Sequence, residues 1–127
     1  MSNTVVYSDQ APEPIGPYSQ AIKTGNMLFI SGQIAIDRST GKLVSGSIEA
    51  ETTQVMRNLE AVLQTAGMSF ADVVKCTIFL KNMEDFPRVN EIYGKHFTQN
   101  PPARETVEVS RLPKDVSVEI SCIAAKG

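Results

Sequence analysis

A chain of 127 residues with a net charge of −2 has room for one domain, and it lacks the basic stripe that a duplex or polyanion binder carries. A hydrophobic fraction of 42% predicts a soluble globular unit over residues 1–127, and Cys76 and Cys122, outside any CxxC pair, read as free thiols of a reducing compartment. The opening Met1-Ser2-Asn3-Thr4-Val5-Val6 has no basic run before an apolar one, and no stretch nears the roughly 18 apolar residues of a membrane span, so the expected address is the cytoplasm.

In chain order, Thr4 to Tyr7 is short and β-branched and is predicted as a first strand. Asp9-Gln10-Ala11-Pro12-Glu13-Pro14 excludes regular structure, because each proline fixes φ and removes a donor. Tyr18 to Thr24 and Met27 to Ser31 form a hairpin about Gly25-Asn26. Gly32-Gln33 is read as an interruption, with Ile34-Ala35-Ile36 continuing the sheet to a turn at Thr40-Gly41. From Ile48 to Ala66, Ile48, Thr52, Val55, Met56, Leu59, Val62, Leu63 and Ala66 recur at helical steps on one stripe. Ser47 caps that helix, Glu49 and Glu51 suit the positive end of its dipole, and Gly67 provides a left-handed stop.

Val73 to Lys81 is a strand, and a second helix starts near Asp85 with Pro87 in its first turn and Asn100-Pro101-Pro102 at its end. Phe86, Val89, Asn90, Tyr93 and Phe97 mark its inner face. Two strands close the chain. In the first, Arg104, Thr106, Glu108 and Ser110 oppose Ala103, Glu105, Val107 and Val109; in the second, Val116, Val118, Ile120, Cys122 and Ala124 oppose Ser117, Glu119 and Ser121. The order β-β-β-α-β-α-β-β predicts an α+β two-layer sandwich, a mixed sheet of about six strands with two helices on one face. The other face keeps apolar residues among Phe29, Ile30 and Phe79, which predicts a subunit partner.

The motif search is mostly exclusion. His96 is the only histidine, too few for a zinc site or a serine-hydrolase triad, and it reads as a solvated helix residue. The eight glycines compose no phosphate loop, and no cofactor motif is present. Polar residues on apolar elements remain. Arg104 is either a surface arginine paired with a nearby acid or a guanidinium fork for a carboxylate. Glu119 is a solvent-facing acid, or, once a subunit covers it, a carboxylate tuned for proton transfer. Asn90 is a core amide satisfied by backbone or a ligand contact, and Tyr18 wedges a turn or stands at a pocket mouth.

Taken together, Ile15-Gly16-Pro17-Tyr18-Ser19-Gln20, Ser31-Gly32-Gln33, Asn58-Leu59, Asp85-Phe86, Val89-Asn90, Pro102-Ala103-Arg104, Leu112-Pro113-Lys114 and Val118-Glu119-Ile120 resemble the RidA/YjgF-like family along nearly the whole chain. The resemblance implies a chorismate-mutase-like fold and a homotrimer with clefts between neighbouring subunits. It implies deamination of 2-aminoacrylate and related enamine or imine acids to 2-oxo acids and ammonia, without metal or organic cofactor. By the same resemblance, Arg104 clamps the substrate carboxylate, Glu119 activates water and moves protons, and Tyr18, Ser31 and Asn90 line the cleft, Tyr18 from across the interface. A backbone group around Thr106 orients the imine nitrogen or water. Two departures stand out. Glu105-Thr106 follows the arginine where relatives carry small residues or cysteine, with Glu105 expected to point away, and Ser121 replaces an acid near the strand end.

Two rival readings share these residues. One is a small-carboxylate-binding or chaperone-like trimer without turnover, which needs Arg104 but not Glu119. The other, a ribonuclease or translation inhibitor, ranks last: a net charge of −2 and a single histidine give RNA little to bind.

Overall fold

The computed structural model describes residues 3–127. Its strands are β1 (Thr4–Val6), β2 (Ala21–Thr24), β3 (Met27–Gln33), β4 (Ile36–Asp37), β5 (Lys42–Leu43), β6 (Val73–Leu80), β7 (Ala103–Glu108) and β8 (Val118–Ala125); the helices are α1 (Ile48–Thr65) and α2 (Phe86–Gly94). Six strands form one sheet in the order β1-β2-β3-β8-β6-β7. Its β6–β7 pair is parallel and the others antiparallel, so the sheet is mixed, as expected.

The first helix follows its sequence signals. Ser47 Oγ accepts from the Ala50 N–H at 3.0 Å, satisfying one of the donors left over at the first turn. At the other end Gly67 takes φ 75°, and the N–H groups of Gly67 and Met68 donate to the carbonyls of Gln64 and Leu63, a Schellman closure. Val55, Met56, Leu59, Val62 and Leu63 pack onto one sheet face, against Leu28 and Ile30 of β3, Cys76, Ile78 and Leu80 of β6, and Val118, Ile120, Cys122 and Ala124 of β8. Val89 and Tyr93 of α2 join that core. Among the described residues no helix is long and apolar enough to cross a membrane.

Three expectations need correction. The strand preceding Gly25 starts at Ala21 rather than Tyr18. Gly32-Gln33 does not interrupt β3; the strand runs through it with a bulge between Ile30 and Gln33 against β8. The bulge moves the inward positions from Leu28 and Ile30 to Gln33, so strict alternation fails there. Beyond it the chain leaves the sheet, and Ile36–Asp37 pairs with Lys42–Leu43 as a separate ribbon. Asn58, buried on α1, holds that segment by donating to the carbonyls of Ile34 and Ile36, both at 3.0 Å. Finally, α2 stops at Gly94, so His96 lies beyond it. The imidazole is half-buried against the Phe70 ring at 4.7 Å, and burial lowers its pKa; it is not a solvated helix residue.

Among the described residues no helix covers the opposite sheet face. Phe29 on β3 and Val107 on β7 are 42% and 43% exposed there, while Ile30 faces the core. Glu105 also projects to this side, pairing with Lys75 at 3.4 Å and away from Arg104, as alternation predicted.

Candidate active site

The expected site residues fall into two groups on opposite faces of the sheet. On the helix side of the edge strand β7, Arg104 sits in one rung with Cys76 and Cys122. Its guanidinium carbon lies 5.2 Å from the Phe86 ring centroid and 5.0 Å from that of Tyr93, so two aromatic residues of α2 hold it by cation–π contact. Nη1 donates to Asn90 Oδ1 at 2.5 Å. Asn90 is thus neither buried nor backbone-satisfied; it stands exposed on α2 and orients the arginine. Among the described residues no acid pairs with Arg104, which leaves most of its donor fork open. Asn90, Tyr93, Phe97, Pro101, Pro102 and Arg104 line a cavity of about 380 Å³. Thr106, two residues along, presents the same face, and its hydroxyl is buried without a hydrogen-bond partner.

Glu119 belongs to the other face. It opposes Phe79 on β6 and projects away from the helices. The side chain folds over Gly32: a Cβ at that glycine would meet Glu119 Cδ at 2.8 Å and Cγ at 3.0 Å and collide with the carboxylate. Glycine here leaves the space that the carboxylate occupies, a signal invisible without strand pairing. Half-burial raises the carboxyl pKa above its usual 4.5. Tyr18, Gln20, Ser31, Gly32, Lys114 and Glu119 share a cavity of about 490 Å³.

The walls of this second cavity are loops fixed by side chains. Ser31 Oγ donates to the Ser19 carbonyl at 2.6 Å, tying β3 to the segment that carries Tyr18. Buried Gln20 accepts from the Ser8 N–H at 2.6 Å and donates to the carbonyls of Ser8, Ala11 and Pro12. Tyr18 itself is 51% exposed at the rim. Lys114 takes a left-handed conformation, φ 53°, in the Pro113–Asp115 turn that closes the far side.

Within one chain, therefore, Tyr18, Ser31 and Glu119 come together, as do Asn90, Arg104 and Thr106, but the two groups do not meet. Gly32 and the aromatic seat of Arg104 are the site components that residue-by-residue reading missed. Among the described residues no three His, Cys, Asp or Glu side chains gather as a metal site would require.

Comparison with known proteins agrees with this architecture. The model of the protein family described as Endoribonuclease L-PSP matches residues 8–126. A RutC family protein of Pyrococcus horikoshii is 56% identical over 122 residues, 96% of this chain and 97% of the relative. Reactive Intermediate Deaminase A, a chloroplastic protein of Arabidopsis thaliana, is 47% identical over 120 residues, 94% of this chain and 64% of that one. A solved Yersinia pestis structure, a protein of unknown function from the conserved Rid protein family, superposes with a TM-score of 0.96 at 47% identity and covers 98% of this chain and 100% of its own.

Proposed function

The chain belongs to the endoribonuclease L-PSP family, which holds the RutC and Rid proteins, and from that membership we propose that it hydrolyses 2-imino and enamino acids to 2-oxo acids and ammonia. One observation carries the reading. Among the described residues no acid pairs with the Arg104 guanidinium on one surface and no cation pairs with the half-buried Glu119 carboxylate on another, and each group lines a cavity. In a homotrimer, the Arg104 cavity of one copy faces the Glu119 cavity of the next, and the bare sheet face with Phe29 and Val107 turns inward.

The chemistry follows from what each group offers. An imine carbon is already electrophilic, so no protein nucleophile is needed; holding the substrate beside one water is most of the task. Arg104 takes the substrate carboxylate in two parallel hydrogen bonds, with Asn90, Phe86 and Tyr93 fixing the plane of the fork. Glu119, made more basic than an ordinary carboxylate by burial, accepts a proton from the attacking water and returns it to the departing nitrogen. Tyr18 and Ser31 line the cleft on the Glu119 side, and Thr106 supplies a backbone group beside the nitrogen.

The test is an assay coupled to a serine or threonine dehydratase, which generates the imine, with Arg104→Ala and Glu119→Gln measured separately and after co-refolding. Each variant alone loses accelerated 2-oxo acid release. The mixture regains activity in roughly a quarter of its clefts under random assembly. No recovery overturns the shared cleft, and full activity of Arg104→Ala overturns the site. Turnover retained in Glu119→Gln would instead give that carboxylate no part in the reaction.

The endoribonuclease in the family's description favours a second reading. It finds thin support in a chain of net charge −2 whose single histidine has its pKa lowered by burial. RNA cleavage with steep salt dependence would revive it.

A further inference from the structure

The two cysteines take no part in the chemistry above, yet they stand in register. Cys76 on β6 lies directly opposite Cys122 on β8, and both are buried on the helix side of the sheet. The Lys81 N–H donates to the Ser117 carbonyl at 3.0 Å, which makes that pair of residues a hydrogen-bonded rung of the same ladder. Rungs alternate along an antiparallel pair, and 76/122 is an odd number of steps away, so it is a non-hydrogen-bonded rung. There opposed Cα atoms approach to about 4.5 Å, inside the range a disulfide spans.

We propose that Cys76 and Cys122 are a modification site, oxidised reversibly to a cross-strand disulfide that disturbs the seat of Arg104. The same rung continues from Cys76 to Arg104 on β7. Above it, Tyr93 touches the guanidinium with its ring while its hydroxyl is buried without a hydrogen-bond partner. Tyr93 also lines the Arg104 cavity, so Cys76 lies one side chain beneath that floor. The thiols are chemically unequal. Contact with the Cys122 S–H and, less so, the nearby Arg104 favour the Cys76 thiolate against the cost of burial, whereas contact with Cys76 and then burial push Cys122 up. Cys76 is adjacent to Arg104 on the rung and Cys122 lies one strand farther from it, so the thiol beside the cation is the attacking sulfur.

With hydrogen peroxide as oxidant, the Cys76 thiolate attacks one oxygen, the O–O bond breaks, and a sulfenic acid and hydroxide form. The Cys122 thiol then attacks the sulfenic sulfur: the S–O bond breaks, the S–S bond forms, the sulfenic oxygen leaves as water with the Cys122 S–H proton, and the hydroxide becomes the second water by taking the proton that Cys76 released on ionising. Two electrons pass from sulfur to oxygen. In a close-packed core, drawing the two sulfurs together moves Cys76 away from Tyr93, and the aromatic seat shifts with it.

The coupling to Arg104 rests on the proposed role of that residue as a carboxylate clamp; disulfide formation does not. The full-length protein is treated with hydrogen peroxide, quenched by alkylation in denaturant and read by intact mass and peptide mapping. Pyruvate binding is measured by calorimetry before and after. The expected result is loss of two hydrogens and of both alkylatable thiols, a linked 76–122 peptide pair, full reversal by dithiothreitol, and severalfold weaker pyruvate binding only when oxidised. Cys122→Ala and Cys76→Ala each abolish both changes. Two thiols still alkylatable, or only irreversible oxides, overturn the site. A formed disulfide with unchanged pyruvate affinity overturns the coupling. If pyruvate binds neither form while the disulfide appears, the fault lies with the clamp.

Discussion

The two cavities differ in how their charge is supported. Around Arg104 the support is regular structure: two rings of α2, an asparagine amide and the edge strand hold the guanidinium in place. Around Glu119 the walls are loops, pinned by Gln20 and Ser31, and the charge itself is adjustable, since burial raises its pKa. Under the proposed function the contrast divides the labour. A fixed cation suits recognition of a carboxylate that does not change during reaction, and a tunable acid suits the proton that moves.

The sharpest way to break this division is Arg104→Ala. Losing a charged hydrogen bond costs about 1.5–3 kcal/mol, so the KM for an imino acid should rise at least tenfold; Arg104→Lys, which keeps charge without the fork, should recover only part of it. Next comes Gly32→Ala. The new methyl meets the flexible end of Glu119 rather than backbone, so the fold should survive while the carboxylate is displaced. A fall in kcat on the order of 10²-fold, with KM nearly unchanged, is expected from loss of acid–base assistance. Equal losses in both parameters would merge the two roles.

Glu119→Gln gives a smaller effect of opposite sign on stability. The raised folded pKa means that the native state binds this proton more tightly than the unfolded chain does. Ionised Glu119 therefore destabilises the protein at neutral pH, and that penalty disappears as pH falls through the raised pKa to below the usual 4.5. The glutamine variant should show a higher urea midpoint at pH 7 and none of that advantage at low pH. Smallest in consequence for the site is Ser47→Ala, which removes the α1 cap: about 1 kcal/mol of stability should go with kinetics unaltered.

How much of this was legible beforehand depended on range. Ser47, the Ile48–Leu63 stripe and Gly67 specify α1 through contacts a few residues apart, and all held. The Gly25-Asn26 turn did likewise. The bulge after Ile30 looks like a break in the sequence because it shifts the inward face by one residue, and the lost periodicity makes sense only with β8 alongside. The site was harder. Alternation sorted Arg104 from Glu105 and Glu119 from Ile120 within each strand, but not the two strands against one another. That relation needs β6 between them, parallel to one and antiparallel to the other. The roles of Arg104, Glu119 and Thr106 came from resemblance, and the opposed faces of the first two came only with the fold.

Gln20 carries one more implication. Its single amide supplies hydrogen bonds to Ser8, Ala11 and Pro12, along a stretch whose prolines bar it from any ladder. Heating that frees this amide lets the 8–14 stretch peel from the barrier it forms while every strand stays paired. Catalysis should consequently fade at a lower temperature than the circular dichroism signal, and Gln20→Leu should widen that gap.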